Sequence, residues 1–112
     1  DLLSPFCTAI RAKGLKLGLY FSLIDWSHPD YPAFTKTKTR YEIKNDTLRW
    51  QKFRNFYQQQ LKEISTQFNP DLYWFDGDWE HTADEWQAQK VRQMLLKNNP
   101  NTVINNRLRG FG

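Results

Sequence analysis

The feature that most limits how this chain can fold is its hydrophobic period, which switches between helix and strand three times over. Residues 2–13 set Leu2, Leu3, Phe6, Cys7 and Ile10 on one stripe at helical spacing, and Gly14 follows as the residue that ends the helix. The period then drops to two. Leu15, Leu17, Leu19, Phe21 and Leu23 alternate with Lys16, Gly18, Tyr20 and Ser22, which predicts a strand. Asp25 to Tyr41 carries Pro29, Pro32 and several Thr and Lys, and reads as a long loop. Asn45 or Asp46 caps a second helix, along which Trp50, Phe53, Tyr57, Leu61, Ile64 and Phe68 recur every three or four residues until Asn69-Pro70 stops it. A second strand runs from Leu72 to Phe75 and carries into Asp76. Thr82-x-x-Glu85 predicts a capping box for a third helix reaching about Lys97, with Trp86, Val91, Met94 and Leu95 available for packing. Asn98, Asn99 and Pro100 end it, and a third strand, Thr102 to Asn105, runs toward Arg107.

The order α-β-α-β-α-β, with a loop and a helix after each strand, implies parallel strands joined by right-handed crossovers. Parallel sheets are buried on both faces, so three strands and three helices make an incomplete object. The chain opens inside a helix with no strand before it and closes after a strand with no helix behind it. A complete eight-stranded barrel takes about 250 residues. The expectation is therefore an α/β chain forming about three β/α units of a (β/α)8 TIM-like barrel. Residues 1–112 would be the central part of one catalytic barrel, with no second domain. A compact open α/β sheet is the competing architecture, but no Gly-rich phosphate turn follows any strand.

Composition narrows the function. Five Trp, five Tyr and eight Phe are unlike a disordered tail. No apolar run approaches the roughly 20 residues of a membrane-spanning helix, and no basic-then-apolar leader opens the sequence. A single cysteine, Cys7, excludes an internal disulfide framework and a Cys-based zinc cage. The 16 basic residues against 12 acidic ones raise nucleic acid as a partner, through the cluster from Lys36 to Arg54. That cluster occupies a loop and the exposed face of a helix, where charge serves solvation. Between Asp71 and Glu85 there are six acids and no Lys or Arg, next to the most aromatic strand end. An acidic, tryptophan-rich cluster suits a neutral polyol better than a phosphate backbone, so no nucleic acid and no membrane are expected as partners.

Active sites of barrels and of open α/β sheets alike sit at the C-terminal ends of the strands. Strand parity points Lys16, Gly18, Tyr20 and Ser22 inward, with Tyr20 nearest the mouth; Leu72, Trp74 and Asp76 share one parity, as do Val103, Asn105 and Arg107. Asp76 is the leading candidate: its carboxylate emerges from Tyr-Trp-Phe, with Gly77 allowing close approach. An Asp before Gly also caps turns through its side-chain oxygen, and that reading stays open. Asp76, Asp78 and Glu80 have alternating spacing that would suit Ca²⁺ or Mg²⁺, but the EF-hand pattern is absent, and neither a metal nor a cofactor is expected. His28 and His81 read as surface or hydrogen-bonding side chains, and Cys7 as a packed thiol. Trp50 and Trp86 are expected in the core; Trp26, Trp74 and Trp79 read either as core residues or, at strand ends close to carboxylates, as rings that stack on the apolar face of a sugar. Arg107 is placed to meet a neighbouring acid, a ligand hydroxyl or Asp76 itself.

Three stretches resemble one enzyme family. Gly18-Leu-Tyr-Phe-Ser-Leu-Ile-Asp-Trp-Ser-His-Pro-Asp-Tyr31 resembles the third-strand region of the α-L-fucosidases of glycoside hydrolase family 29. Asn69-Pro-Asp-Leu-Tyr-Trp-Phe-Asp-Gly-Asp-Trp79 is similar to that family's nucleophile motif, and Val103-Ile-Asn-Asn-Arg107 to its next strand. The resemblance covers nearly the whole chain. It implies a (β/α)8-like catalytic barrel, usually followed by a β-sandwich, that hydrolyses terminal α-L-fucosyl linkages with retention of configuration. Asp76 then matches the nucleophile, Arg107 an arginine near bound fucose, Tyr20 a substrate-contacting tyrosine and Trp79 a sugar-site aromatic. The acid/base of that family comes from beyond the Asn-Asn-Arg strand, and its histidine pair would precede Asp1. Nothing in the spacing of Glu80 or Glu85 supports either as a substitute, so the 112 residues alone are expected to be inactive. The implied partner is a fucosylated oligosaccharide or glycoconjugate, in a secreted, periplasmic or lysosomal setting. A non-catalytic carbohydrate-binding α/β module is the alternative. Asn45-Asp-Thr47 matches a glycosylation acceptor pattern, relevant only in a eukaryotic secretory pathway.

Overall fold

The structure is a computed structural model that describes residues 2–110. In chain order it contains α1 (Leu3–Ala12), β1 (Gly18–Ser22), a 3₁₀ turn (Ile43–Asn45), α2 (Thr47–Phe68), β2 (Leu72–Asp76), a second 3₁₀ turn (Asp78–Glu80), α3 (Ala83–Trp86), α4 (Ala88–Asn98) and β3 (Val103–Ile104). The three strands form one sheet in the order β1-β2-β3, all parallel, as the alternation predicts. Tyr20 sits opposite Trp74 and Ser22 opposite Asp76. Tyr73 and Phe75 of β2 turn to one side and join Tyr57, Leu61, Val91 and Leu95 of the helices in the core. Tyr20, Trp74 and Val103 lie on the other face and are exposed. The described part is thus a sector of an α/β barrel, helices outside and the strands' other faces turned inward.

The first strand begins later than its alternating pattern predicts. Leu15 belongs to the end of α1: its N–H reaches back to Ile10 O (3.2 Å) and that of Gly14 to Arg11 O (2.9 Å), with Gly14 at φ +70°. This Schellman closure satisfies the last helical carbonyls and leaves Leu15 exposed. Below the sheet, Leu17 N–H donates to Asp71 Oδ2 (2.8 Å), and Arg11 donates to the same oxygen (2.5 Å) and to Asn69 O (2.6 Å). The Leu17 amide above all, with Arg11, holds the Asp71 carboxyl below its ordinary range. The start of β2 is thereby tied to β1 and α1.

α2 follows its sequence pattern closely. Asp46 caps it by accepting from Arg49 N–H (3.1 Å), and it ends at Asn69 in the left-handed region, φ 46°. Trp50, Phe53, Tyr57 and Leu61 are buried along one face. In the last turn the buried position is Ser65, whose hydroxyl accepts from Asn98 Nδ2 (2.9 Å).

The third predicted helix is two helices. The capping box is present, with Thr82 Oγ1 accepting from Glu85 N–H (3.1 Å) and Glu85 Oε1 from Thr82 N–H (2.9 Å). The helix it starts lasts four residues and breaks at Gln87, φ 53°. Helical geometry gives the reason. At about 100° per residue, Trp86 would point roughly 140–180° away from Val91 and Leu95 in one continuous helix. All three are fully buried, and the left-handed residue between them is what lets them share one core. Complete burial of each such side chain contributes about 2–3 kcal/mol, more than a single left-handed residue costs.

β3 is also shorter than predicted. It ends at Ile104; the Asn105 N–H still donates to Tyr73 O (3.3 Å), and one step further along β2 the Asn105 side chain takes over, its Oδ1 accepting from Phe75 N–H (2.8 Å) and its Nδ2 donating to Phe75 O (2.9 Å). An amide side chain here does the work of a ladder pair, and the strand parity ends with it. Arg107 therefore lies in the turn that follows, not on a continuing strand.

Candidate active site

The C-terminal ends of β1 and β2 bring together the two leading sequence candidates. Tyr20 and Asp76 occupy the same face of adjacent strands at a diagonal position, within reach of a long side chain. Tyr20 O–H donates to Asp76 Oδ2 at 3.0 Å. That bond, first among the causes, raises the phenol above its ordinary value, so Tyr20 remains a donor through neutral pH. Asp76 Oδ1 accepts from Gly77 N–H at 3.0 Å. The turn-capping contact that the sequence allows is therefore present on Oδ1, while Oδ2 accepts from Tyr20. Gly77 is required here twice over: its φ is +79°, and a Cβ would stand 3.0 Å from the Ile24 side chain.

The aromatic residues sort as their positions suggest. Trp50 and Trp86 are buried; Trp26, Trp74 and Trp79 are about half exposed at or near the strand ends. Trp74 shares its face with Asp76, a placement its parity signals. Trp79 stands in the second 3₁₀ turn with the Arg107 guanidinium 6.0 Å from its ring centroid. Among the described residues Arg107 forms no ion pair with Asp76 or another acid, and its guanidinium meets the Trp79 ring instead. Trp26 packs against Phe34, ring centroids 5.4 Å apart, and its Nε1–H donates to Glu80 Oε1 at 3.1 Å.

The carboxylates around Asp76 have separate structural partners. Asp78 is buried, and its Oδ2 accepts from Arg109 N–H (3.1 Å) and Gly110 N–H (2.9 Å), fastening the segment after β3 to the β2 loop. Its main-chain oxygen accepts from the Trp86 indole (2.8 Å). Glu80 Oε1 accepts from Trp26 and from the fully buried Tyr31 O–H (2.6 Å). Burial pushes the Tyr31 phenol strongly up, with the Glu80 hydrogen bond next. Among the described residues no three of His, Cys, Asp and Glu gather as metal ligands.

His81 is buried against Trp50 and Trp86, with Nε2 3.2 Å from Tyr31 O–H. Burial lowers its pKa below the ordinary 6.5 despite the nearby glutamates. His28 Nδ1 accepts from Asp30 N–H (3.1 Å) and the ring packs on Phe53 and Phe56. Both are hydrogen-bonding side chains, as expected, and Cys7 is buried within α1. The sequence does not reveal the Glu80–Trp26–Tyr31 cluster, because Glu80 lies 54 and 49 residues from Trp26 and Tyr31.

The described residues thus form a three-strand sector of an α/β barrel with a carboxylate and half-exposed tryptophans at or near its strand ends. The chain superposes on an alpha-L-fucosidase of glycoside hydrolase family 29 from Bacteroides thetaiotaomicron with a TM-score of 0.80 and 32% identity, covering 98% of this chain and 24% of that one. It superposes on the alpha-L-fucosidase AlfC from Lactobacillus casei, solved in complex with alpha-L-fucose product, with a TM-score of 0.64 and 29% identity over 91% of this chain and 35% of the other. In sequence it is 31% identical to the tissue alpha-L-fucosidase of Bos taurus over 112 residues, 96% of this chain. Residues 1–110 match the family model described as alpha-L-fucosidase, and the chain belongs to that family. It spans 22% of the length of the bovine relative. No helix among the described residues is long and apolar enough to cross a membrane.

Proposed function

We propose that the full-length protein hydrolyses terminal α-L-fucosyl linkages of fucosylated oligosaccharides or glycoconjugates by double displacement, with Asp76 as nucleophile. The observation that carries this reading is the Tyr20-held carboxylate of Asp76 on the exposed face of the sheet, in a chain of the fucosidase family. In the first step an Asp76 oxygen forms a bond to the anomeric carbon while the bond to the leaving oxygen breaks and a carboxylic acid protonates that oxygen. In the second, water attacks the same carbon, the acid's conjugate base takes its proton, and the Asp76 ester bond breaks. Two inversions give net retention, and the two carboxyl groups stand about 5–5.5 Å apart in such enzymes. Tyr20 orients the nucleophile through its hydrogen bond. Trp26 and Trp79 supply apolar surface for the rings of the fucosylated substrate, and Arg107, next to Trp79, a donor for sugar hydroxyls. Glu80 and Glu85 are poor acid/base candidates, since each already accepts hydrogen bonds that hold the loop and α3. The family resemblance places the acid/base beyond the Asn-Asn-Arg strand, in another part of the protein. The setting that fits such substrates is secreted, periplasmic or lysosomal.

The test is Asp76→Asn in the full-length protein. It is expected to lower kcat/KM by about 10³-fold or more, equivalent to about 4 kcal/mol of transition-state stabilisation. Azide should restore turnover as a fucosyl azide of inverted configuration, and a 2-fluoro fucosyl donor should label Asp76 in the wild type. A variant retaining activity within a few fold, or a non-hydrolysing protein that merely binds fucose, would overturn the assignment.

A further inference from the structure

An open concavity of about 500 Å³ lies within the loop between β1 and α2, in the size range of small-molecule sites. Its walls include Trp26, Phe34, Thr35, Lys38, Thr39 and Arg40. The indole and the Phe34 ring meet at 51°, forming an aromatic corner with both rings half exposed. The corner is built rather than loose. Phe34 and Thr39 form an antiparallel bridge, Thr35 N–H donates to Lys38 O (2.6 Å), and Arg40 N–H donates to Ala33 O (2.9 Å). The Arg40 guanidinium clamps the loop from inside by donating to the carbonyl oxygens of His28 (2.6 Å), Tyr31 (3.0 Å) and Trp26 (3.1 Å). Lys38 has no carboxylate partner among the described residues.

An aromatic corner flanked by an unpaired ammonium and a threonine hydroxyl matches a pyranose ring, with an apolar face to stack and hydroxyls to accept and donate. The corner also has a fixed relation to the strand ends. Trp26 is bonded through Nε1 to Glu80, in the turn that begins two residues after Asp76. We propose that this corner is the subsite for the neutral pyranose to which the fucose is attached, a hexose or N-acetylhexosamine, and that Glu80 is the positioning residue that sets the Trp26 indole. The inference rests on the reading of Asp76 as the carboxylate that takes up the fucosyl group.

The experiment compares two substrates on the full-length protein: α-L-fucosyl fluoride, whose leaving group is a single atom, and a fucosyl-N-acetylglucosamine disaccharide. Phe34→Ala is expected to lower kcat/KM for the disaccharide relative to the fluoride by about fivefold or more, mainly through KM, the scale of one aromatic contact. Glu80→Ala should shift the ratio the same way. Glu80→Gln, whose amide oxygen still accepts from Trp26 and Tyr31, should stay within about twofold of the wild type. Should Glu80→Ala not fold, Phe34→Ala decides alone. Equal losses on both substrates, or no change on either, would overturn the subsite. A wild type that leaves the fluoride intact would instead overturn the fucosidase reading, a separate outcome.

Discussion

Two aspartates separated by one glycine divide the labour at the end of β2. Asp78 turns inward and is used up by the Arg109 and Gly110 amides, whereas Asp76 stays on the open face with one oxygen on Tyr20. The placement of Asp76 and Tyr20 on one face, and of Trp26 and Trp79 near the strand ends, was legible in the sequence, because strand parity and nearness to a strand end are local properties. The cradle around Asp78 was not, since its donors lie 31 and 32 residues away. His81 carries a prediction at this scale. Folded, it is buried and its pKa is depressed; unfolded, it takes up a proton near pH 6.5. The unfolded chain therefore binds more protons below that pH, so this contribution to stability is complete above pH 6.5 and is lost as pH falls below it. In the full-length protein the urea midpoint should fall between pH 7.5 and 5.5, and His81→Gln should shrink that fall. An unchanged difference between the two pH values would place the effect elsewhere.

Elements follow their local patterns until packing demands otherwise. The capping box, the Asp46 cap and the stripe from Trp50 to Leu61 were readable as written, because each depends on residues within a few positions of one another. The break at Gln87 was also encoded, in the angular mismatch of Trp86 with Val91 and Leu95, but only for a reader who requires all three to be buried. Its consequence is measurable. Gln87→Val puts a β-branched side chain into the left-handed region and should destabilise the protein by about 1–2 kcal/mol. Gln87→Gly relieves that strain while losing the bond from Gln58 Nε2 (2.9 Å), and should fall within about 0.5 kcal/mol of the wild type. Denaturant titration of the two variants distinguishes the cases; equal stability would remove the role given to the break.

At the scale of the whole molecule, helices cover one face of the sheet and leave Tyr20, Trp74 and Val103 open on the other, 64%, 54% and 60% exposed. Such a face is covered in a complete parallel sheet, and contiguous apolar surface of this kind drives association. Produced alone, the 112 residues should bind a hydrophobic dye, associate with rising concentration, and release no fucose from a substrate that the full-length protein cleaves. Measurable turnover by the isolated chain would show that its own residues supply the acid/base. The sequence alone determined the order of elements, the parallel sense of the sheet and the face on which Asp76 emerges, because hydrophobic period and crossover handedness act over short spans. Only the tertiary structure decided where β1 and β3 stop pairing, that Arg107 faces Trp79, and that Glu80 joins Trp26 to Tyr31. Those outcomes depend on hydrogen bonds and ring contacts between loops distant along the chain, which meet only after the core has set their positions.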